Sequence, residues 1–202
     1  MRRTLRATVT FSTALTLALG FAGVASSTVT PRLSTRLLSV ALMPKGWSTY
    51  DPSGSVRAGC LTNVIGLSSF LVAKGVTQTS HASVFLEDEQ SVPVISEMLA
   101  TYSNADAAYA KIVTALANCR HVNANVLGEP VTGTMGQKSL TRFANASEAF
   151  TASTSIMGTT FDEDVVVVRK GNIIMGFIEG GLPPISTHQF EGLVGRALAR
   201  VP

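Results

Sequence analysis

The stretch DVVVVRKGNIIMGFIE, from Asp164 to Glu179, decides the fold of this chain. Two β-prone apolar runs flank the turn residues Lys170-Gly171-Asn172, which is the pattern typical of a β-hairpin. Both runs carry apolar residues in both phases, as strands do when both faces of their sheet are covered. The stretch therefore predicts two antiparallel strands in a covered sheet.

Three further segments have the pattern of strands. His81–Leu86 is short and β-prone, Val92–Tyr102 alternates residues that are mostly apolar on both sides, and Ala149–Met157 precedes the hairpin. Pro93 has no N–H to donate, so it must lie at the beginning of its strand or at an edge. The run Gly128–Gly136 is instead predicted to be a loop.

Four segments predict helices. Arg32–Met43 and Cys60–Ala73 have apolar residues at helical spacing. The sequences Ser103-Asn104-Ala105-Asp106 and Ser186-Thr187-His188-Gln189 resemble capping boxes, in which a serine oxygen accepts from first-turn amides. The helix after the first box has one apolar face, made of Ala108, Ile112, Ala115, Leu116 and Cys119. The final helix has a buried stripe, made of Phe190, Leu193, Val194, Ala197, Leu198 and Val201.

These elements alternate along a chain of 202 residues, which is a length typical of one domain. With 46% hydrophobic residues there is enough apolar surface for a core. Strands that follow one another are joined by short turns, so the sheet should be antiparallel. We therefore expect a single α+β domain, in which helices pack against an antiparallel β-sheet and one disulfide joins the two cysteines.

The N-terminal segment has the organisation of an export signal. Three basic residues lie within Met1–Arg6, and no charged residue occurs from Ala7 to Pro31. Small residues at Gly23-Val24-Ala25 predict cleavage after Ala25. The chain then divides into a signal peptide at 1–25, a short linker at 26–31 and a folded domain at 32–202.

Other interpretations of this segment remain open. An uncleaved anchor is one, because the uncharged stretch is long enough to cross a bilayer. A twin-arginine signal at Arg2-Arg3 is another, although Arg6 lies where that signal has an apolar residue. Each interpretation places the domain outside the cytoplasm, because basic residues before the segment stay inside. We therefore expect a secreted protein or one of the extracytoplasmic cell envelope, in contact with the membrane only through an uncleaved leader.

The two cysteines agree with export. Cys60 and Cys119 are the only cysteines, and neither belongs to a C-x-x-C pair. An oxidising compartment favours joining them in a disulfide. On the chain-entropy model such a bridge stabilises the fold by roughly 4 kcal/mol. Two buried free thiols are the alternative.

Charge excludes one class of partner. The chain has 16 basic and 13 acidic residues, but Arg2, Arg3 and Arg6 belong to the leader. The remaining chain has no net charge, so it lacks the basic surface that binds nucleic acid or an anionic membrane. We expect no nucleic-acid partner.

The sequence carries no recognisable catalytic or metal motif. His81, His121 and His188 fall in different elements, and none has the spacing of a metal ligand. The nucleophile motifs G-x-S-x-G and S-x-x-K do not occur, although a triad can assemble from distant positions. We therefore predict no catalytic residue, no metal and no cofactor.

Three other groups receive structural interpretations. The acidic runs Glu87-Asp88-Glu89 and Asp162-Glu163-Asp164 lack the glycine and spacing of a calcium loop, so we interpret them as solvated turns rather than calcium ligands. Trp47 is interpreted as a core anchor rather than a ligand-stacking surface. Arg169-Lys170, at the tip of the hairpin, is interpreted as a solvated turn rather than a contact for an anionic partner.

Taken in order, several motifs match one family. They are Pro44-Lys45-Gly46-Trp47, Cys60, Ala100-Thr101-Tyr102, Asn104 to Ala108, Ala117-Asn118-Cys119, Val166 to Gly171 and the closing helix. In these the chain resembles the extracellular sensor domain of a mycobacterial receptor Ser/Thr kinase, the PknH-like family, and its small secreted or lipid-anchored actinobacterial relatives. The resemblance implies an exported α+β domain with a curved antiparallel sheet and a groove for an unidentified ligand. The family's domain resembles a two-bridge design, whereas this chain offers one cysteine pair, and no kinase sequence or lipid-anchor cysteine accompanies it.

These observations favour an exported, non-enzymatic domain that binds an unidentified small ligand or envelope protein, through residues the sequence does not identify. The alternative is a secreted or cell-wall hydrolase with a dispersed catalytic set. A third interpretation is an envelope stability or interaction protein without a small ligand. A groove lined by polar and aromatic residues would favour a binding protein, and a histidine bonded to both a nucleophile and a carboxylate would favour the hydrolase.

Overall fold

A computed structural model describes residues 31–49, 56–57, 73–88, 93–126, 129–181 and 184–202. The predicted signal peptide 1–25 and nearly all of the linker 26–31 lie outside these ranges. The predicted helix Cys60–Ala73 also lies outside them, apart from its last residue. Of the helices in these ranges, none has the length and apolarity needed to span a bilayer.

Nine strands and three helices are described. The helices are α1 (Pro31–Ser34), α2 (Ala105–Asn118) and α3 (Thr187–Arg200), with a 3-10 turn at Val40–Leu42. The strands are β1 (Trp47–Thr49), β2 (Val56–Arg57), β3 (Gln78–Asp88), β4 (Val94–Tyr102), β5 (His121–Val126), β6 (Glu129–Lys138), β7 (Ala146–Ile156), β8 (Thr159–Lys170) and β9 (Ile173–Gly181).

All nine strands form one antiparallel sheet in the order β1-β3-β4-β9-β8-β7-β6-β5-β2. The predicted hairpin is confirmed: β8 and β9 pair in the register Val168↔Met175 and lie in the middle of the sheet. Gly171 makes the turn with φ +60°, a conformation that glycine adopts without strain. Pro93 directly precedes β4, as predicted.

The hairpin is apolar in both phases because a helix covers each face of the sheet. Ile112 of α2 packs in the same core as Val165 and Val167. Phe190 of α3 packs in the other core, together with Val166 and Phe177. The rings of Phe177 and Phe190 lie 5.6 Å apart between centroids, tilted by 58°. Alternate residues of β8 therefore supply two separate cores.

The predicted α+β class is wrong, because strands dominate and only α2 and α3, of 14 residues each, are substantial helices. Much of the error lies in Gly128–Gly136, which was predicted to be a loop and contributes most of β6. Gly133 in this strand is required by the close approach of the neighbouring strand β7. A Cβ at Gly133 would lie 2.3 Å from the carbonyl oxygen of Ser153 on β7. The domain is therefore β-rich.

The predicted helix Arg32–Met43 is also wrong. Only α1 and the 3-10 turn are helical there, although Leu33, Leu37 and Leu38 are buried in the α3-side core. The segment is held by a buried acceptor, since the Leu38 N–H donates to Glu97 Oε2 of β4 at 2.5 Å. The apolar spacing of Arg32–Met43 therefore indicates that the segment is buried, and it does not indicate a helix.

Helix caps agree with the sequence in large part. Ser186 and Gln189 form the predicted reciprocal capping box of α3. In α2 the cap is Asn104, one residue after the predicted serine, and its side chain accepts from the Ala107 N–H at 3.0 Å. Cys119 follows α2, is buried and is not a free thiol. Its predicted partner, Cys60, lies outside the described residues, so that pairing stays a prediction.

Candidate functional site

A groove lies on the α3 side of the sheet, next to the beginning of that helix. Its floor is formed by side chains of β6 to β9, and its wall by the connector from β9 to α3. It has a volume of about 680 Å³. We name it the polar groove, and it is lined by Thr134, Met135, Gly136, Lys138, Thr151, Ser153, Asp162, Asp164, Glu179 and the segment 184–187.

The groove exists because α3 covers only part of its face of the sheet. Phe190 and Val194 of α3 belong to a core that includes residues of β4, β8 and β9. Farther along the same face, Thr134, Gly136 and Thr151 on β6 and β7 are exposed. The polar residues of β6, which led to the prediction of a loop, therefore form part of the open floor of the groove.

An ion pair crosses the floor of the groove. Lys138 Nζ donates to Asp164 Oδ2, with β7 lying between their two strands. The side chains are 27% and 12% exposed, so both charges are largely withdrawn from water. Charges in such a position interact more strongly with each other, and with anything that enters the groove, than charges on an open surface.

Glu179 joins the floor of the groove to its wall. It lies directly opposite Asp164 in the β8–β9 register and is almost completely buried. Its Oε1 accepts from the Ile185 N–H at 2.7 Å, which holds the connector against the sheet. Burial raises the pKa of Glu179 to about 7; Asp164 adds to that rise, and the bond from Ile185 and the charge of Lys138 oppose it.

The polar groove offers a mixed set of donors and acceptors. Lys138 supplies an ammonium, Asp162 and Asp164 supply carboxylates, and Thr134, Thr151 and Ser153 supply hydroxyls, which both donate and accept. Aromatic side chains, which we expected in a binding groove, are not among the residues described as lining it. The arrangement suits a small polar ligand more than a flat apolar one.

The acidic run Asp162-Glu163-Asp164 is part of β8 and not the solvated turn that we predicted. Asp162 and Asp164 face the polar groove, and Glu163 points to the α2 side. Glu163 is buried against Gly180, where a Cβ would lie 2.9 Å from Glu163 Cγ. Burial, and secondarily the nearby Glu179, raises the pKa of Glu163 to about 8. Within the described ranges no three metal-ligating side chains are grouped.

The three histidines are not brought together at the groove. His81 is half-buried on β3, burial lowers its pKa, and its Nε2 has no hydrogen-bond partner within the described structure. His121 begins β5, which is six positions away from β3 in the sheet order. His188 is exposed in the first turn of α3, and none of the three lines the polar groove.

Two other structural interpretations have different outcomes. Trp47 is 9% exposed and packs in the α3-side core, as predicted for a core anchor, and it also borders a second cavity. The solvated-turn interpretation of Arg169 and Lys170 is wrong. Arg169 forms an ion pair with Asp106 at 3.0 Å, and Lys170 Nζ donates to the Leu198 and Val201 carbonyls at the end of α3.

Sequence reasoning missed Lys138 and Glu179, which carry most of the chemistry of the groove. Glu179 did leave a signal, because an acidic residue at the end of a run as apolar as Ile173–Ile178 must either leave the core or find a partner in it. Lys138 left none. Its place beside Asp164 depends on the pairing of β6, β7 and β8, which local sequence does not encode.

The fold and groove together define a class: a β-rich domain of one antiparallel sheet, with a helix on each face and a polar groove beside the last helix. This fold is similar to that of the extracellular domain of PknH from Mycobacterium tuberculosis, with a TM-score of 0.63. The two are 13% identical, and the alignment covers 87% of this chain and 97% of that domain. The resemblance recognised in the sequence is thus confirmed at the level of the fold.

A second solved structure, an uncharacterised protein from Mycobacterium smegmatis, aligns with a TM-score of 0.46 at 14% identity. The alignment covers 80% of this chain and 92% of that protein. No protein-family model and no curated protein matches this chain.

Proposed function

We propose that this chain is an exported, non-enzymatic binding domain whose polar groove holds a small polar ligand. The observation that carries this proposal is the ion pair of Lys138 and Asp164, which lies beside the buried Glu179 on the floor of an open groove. Buried ion pairs are weak contributors to stability, because desolvation offsets much of their attraction. Charged groups withdrawn from water at the floor of a concave surface are instead typical of binding sites.

Export is supported from two directions. The N-terminal 31 residues have the charge pattern of an export signal. The fold is similar to that of a domain described as extracellular. We therefore place the proposed ligand outside the cytoplasm, among the small polar molecules of the cell envelope or the medium.

The chemistry of the groove limits the ligand. A volume of about 680 Å³ is within the usual range for small-molecule sites. The mixture of one ammonium, carboxylates and hydroxyls favours a ligand that both donates and accepts, such as a sugar, an amino acid or a short peptide. The lining residues that the structure describes include no aromatic ring, so the ligand would combine hydrogen bonds with contacts to the apolar side chains of Met135 and Ile185.

A second candidate function is the hydrolase, and one observation favours it. Glu179 has a pKa raised to about 7 and lies opposite Asp164, which is paired with Lys138. A buried carboxyl with a raised pKa beside a second carboxyl group is an arrangement that acid–base catalysis uses. Against this, Glu179 Oε1 accepts from the connector and Asp164 is bonded to Lys138, so each is engaged in holding structure.

The proposal is tested by a thermal-shift screen of the exported domain against envelope sugars, amino acids and short peptides, because specific binding raises the melting temperature. Gly136 allows a sharp variant, since it lines the groove and a Cβ there meets nothing within 4 Å, so Gly136→Leu introduces a side chain into open space at the groove. Gly195 on α3 also has open space at its Cβ, and Gly195→Leu is the matched control.

We expect at least one compound to stabilise the wild type and the Gly195→Leu variant in a dose-dependent way, and the Gly136→Leu variant not to respond. A screen without any stabilising compound would contradict small-ligand binding and favour the interaction protein. Turnover of a stabilising glycoside or peptide, lost in Glu179→Gln, would replace the binding function with the hydrolase.

A further inference from the structure

A second cavity lies on the other side of the connector that walls the polar groove, and Ile185 contributes to both. It has a volume of about 510 Å³. We name it the Trp47 pocket. It lies between the segment that leads into β1, the end of β3 and the first turns of α3, and its principal residues are Met43, Trp47, His188, Gly192, Leu193 and Arg196.

The inner wall of the Trp47 pocket is apolar. Met43, Trp47 and Leu193 are buried members of the α3-side core that also line the cavity, and Pro44 and Pro93 border it. A ligand that enters would thus extend the existing core. Burial of hydrocarbon against such a wall contributes roughly 25 cal/mol for each Å² removed from water.

The helix side of the pocket is open because Gly192 has no side chain. This glycine lies in the interior of α3, where glycine is less favourable than alanine by roughly 1 kcal/mol. A Cβ built there would approach only Arg196 Nη1, at 3.9 Å. The gap therefore has an apolar wall on one side and a guanidinium on the other.

The charge on the helix side of the pocket is positive. Arg196 is exposed, and its guanidinium makes no hydrogen bond or ion pair within the described part of the chain. His188 lies on the same helix in its first turn, where the helix dipole adds partial positive charge. The carboxylate in the lining, Asp88, is on the opposite side beside Gly46 and has interactions of its own.

We propose that the Trp47 pocket is a second ligand site, which takes a small molecule with an apolar body and one anionic group. The body packs between Trp47 and Leu193 in the space left by Gly192, and the anionic group accepts from the Arg196 guanidinium. Arginine suits this role because its planar fork of donors matches a carboxylate or phosphate. The site does not depend on the polar groove or on its ligand.

Trp47 allows a direct test, because it is the only tryptophan of the chain and lies in the wall of the pocket. The purified domain is titrated with decanoate, kept below its micelle concentration, and tryptophan fluorescence is followed. Decyltrimethylammonium is the matched probe with the opposite charge. Thermal shift with the same probes gives a second measurement that does not depend on the indole.

We expect a saturable change in fluorescence with decanoate and an affinity for decyltrimethylammonium at least tenfold weaker. Gly192→Leu should abolish the response to decanoate, because its side chain fills the gap, and Gly195→Leu should retain it. Arg196→Gln should weaken decanoate binding by about tenfold, the size of effect that follows from loss of one charged hydrogen bond.

Three outcomes would overturn the proposal. They are equal binding of the two probes, an unchanged response in Gly192→Leu, and a response that does not saturate in the wild type. Because Gly192→Leu does not touch the polar groove, a ligand found for that groove should still stabilise this variant. Failure of this inference is thus distinguishable from failure of the proposed function.

Discussion

Arg36 and Arg200 bond to each other's backbone across 164 residues of sequence. Arg36 Nη1 donates to the Arg200 carbonyl oxygen at 2.9 Å, and Arg200 Nε donates to the Arg36 carbonyl oxygen at 3.1 Å. Arg200 Nη2 also donates to the Thr35 carbonyl at 2.9 Å. This reciprocal pair holds the segment before β1 against the end of α3 and satisfies carbonyls that a helix end otherwise leaves without partners.

Arg200→Met should therefore loosen the N-terminal segment. It removes two donors to backbone carbonyls and the positive charge that favours ionised Glu97, and we expect a loss of about 1–3 kcal/mol in the free energy of unfolding. Urea unfolding measures it. Arg196→Met, four residues away on the same helix, is the control and should change stability by less than about 0.5 kcal/mol. Equal effects of the two variants would contradict this role of Arg200.

The buried carboxyls should make stability fall as the pH rises. Glu97, Glu163 and Glu179 have pKa values raised from 4.5 to about 7, 8 and 7 by burial. Between pH 4.5 and 8 the native chain therefore binds more protons than the unfolded chain, and the free energy of unfolding decreases with pH. Urea unfolding at pH 5, 6, 7 and 8 measures the slope. In Glu163→Gln the slope should be shallower above pH 6, and an unchanged slope would mean that Glu163 does not titrate in this range.

Glu97 should act mainly as a hydrogen-bond acceptor for the N-terminal segment. Glu97→Gln keeps an oxygen for the Leu38 N–H, so at pH 8 it should be about as stable as the wild type or more stable. Glu97→Leu leaves that buried N–H without its acceptor and should cost about 1–3 kcal/mol. Thermal unfolding of the two variants at pH 8 measures the difference. If the charge of Glu97 rather than its acceptor oxygen held the segment, both variants would be destabilised to a similar extent.

Gly133 should be intolerant of any side chain. A Cβ there would lie 2.3 Å from the Ser153 carbonyl oxygen and 2.8 Å from Thr154 Cα, so β6 and β7 would have to separate. We expect Gly133→Ala to destabilise the domain by about 2–4 kcal/mol. Gly136→Ala, on the same strand with open space at its Cβ, is the matched control and should be nearly neutral. Urea unfolding of both variants measures the difference, and equal stabilities of Gly133→Ala and Gly136→Ala would contradict the prediction.

The sequence predicts the elements whose own residues settle their structure. The β8–β9 hairpin needs only its apolar runs and Gly171, and α3 needs only its apolar stripe and the Ser186 capping box. The strand β6 lacks such local signals, because Pro130, Gly133 and Gly136 favour a loop and only pairing with β5 and β7 makes it a strand. That error lowered the predicted strand content, whereas the overestimate of helix content came from Arg32–Met43, where the apolar spacing reflects burial.

The candidate site was harder to predict than the fold. The polar groove depends on Lys138, Asp164 and Glu179, which come from three strands and meet only through the sheet order. Their side chains carry no motif, and Asp164 was interpreted as part of a solvated turn. The exposed floor at Thr134 and Thr151 could not be predicted from the sequence for another reason. Threonine and serine occur equally in grooves and on the solvent-exposed face of any strand.

The short connector that Glu179 holds against the sheet separates the two cavities. Ile185 lines both cavities. Its N–H donates to Glu179 on the side of the polar groove, and the residue borders the Trp47 pocket on its other side. A substitution of Ile185 would therefore alter the lining of both cavities at once, whereas Gly136→Leu and Gly192→Leu each change only one of them.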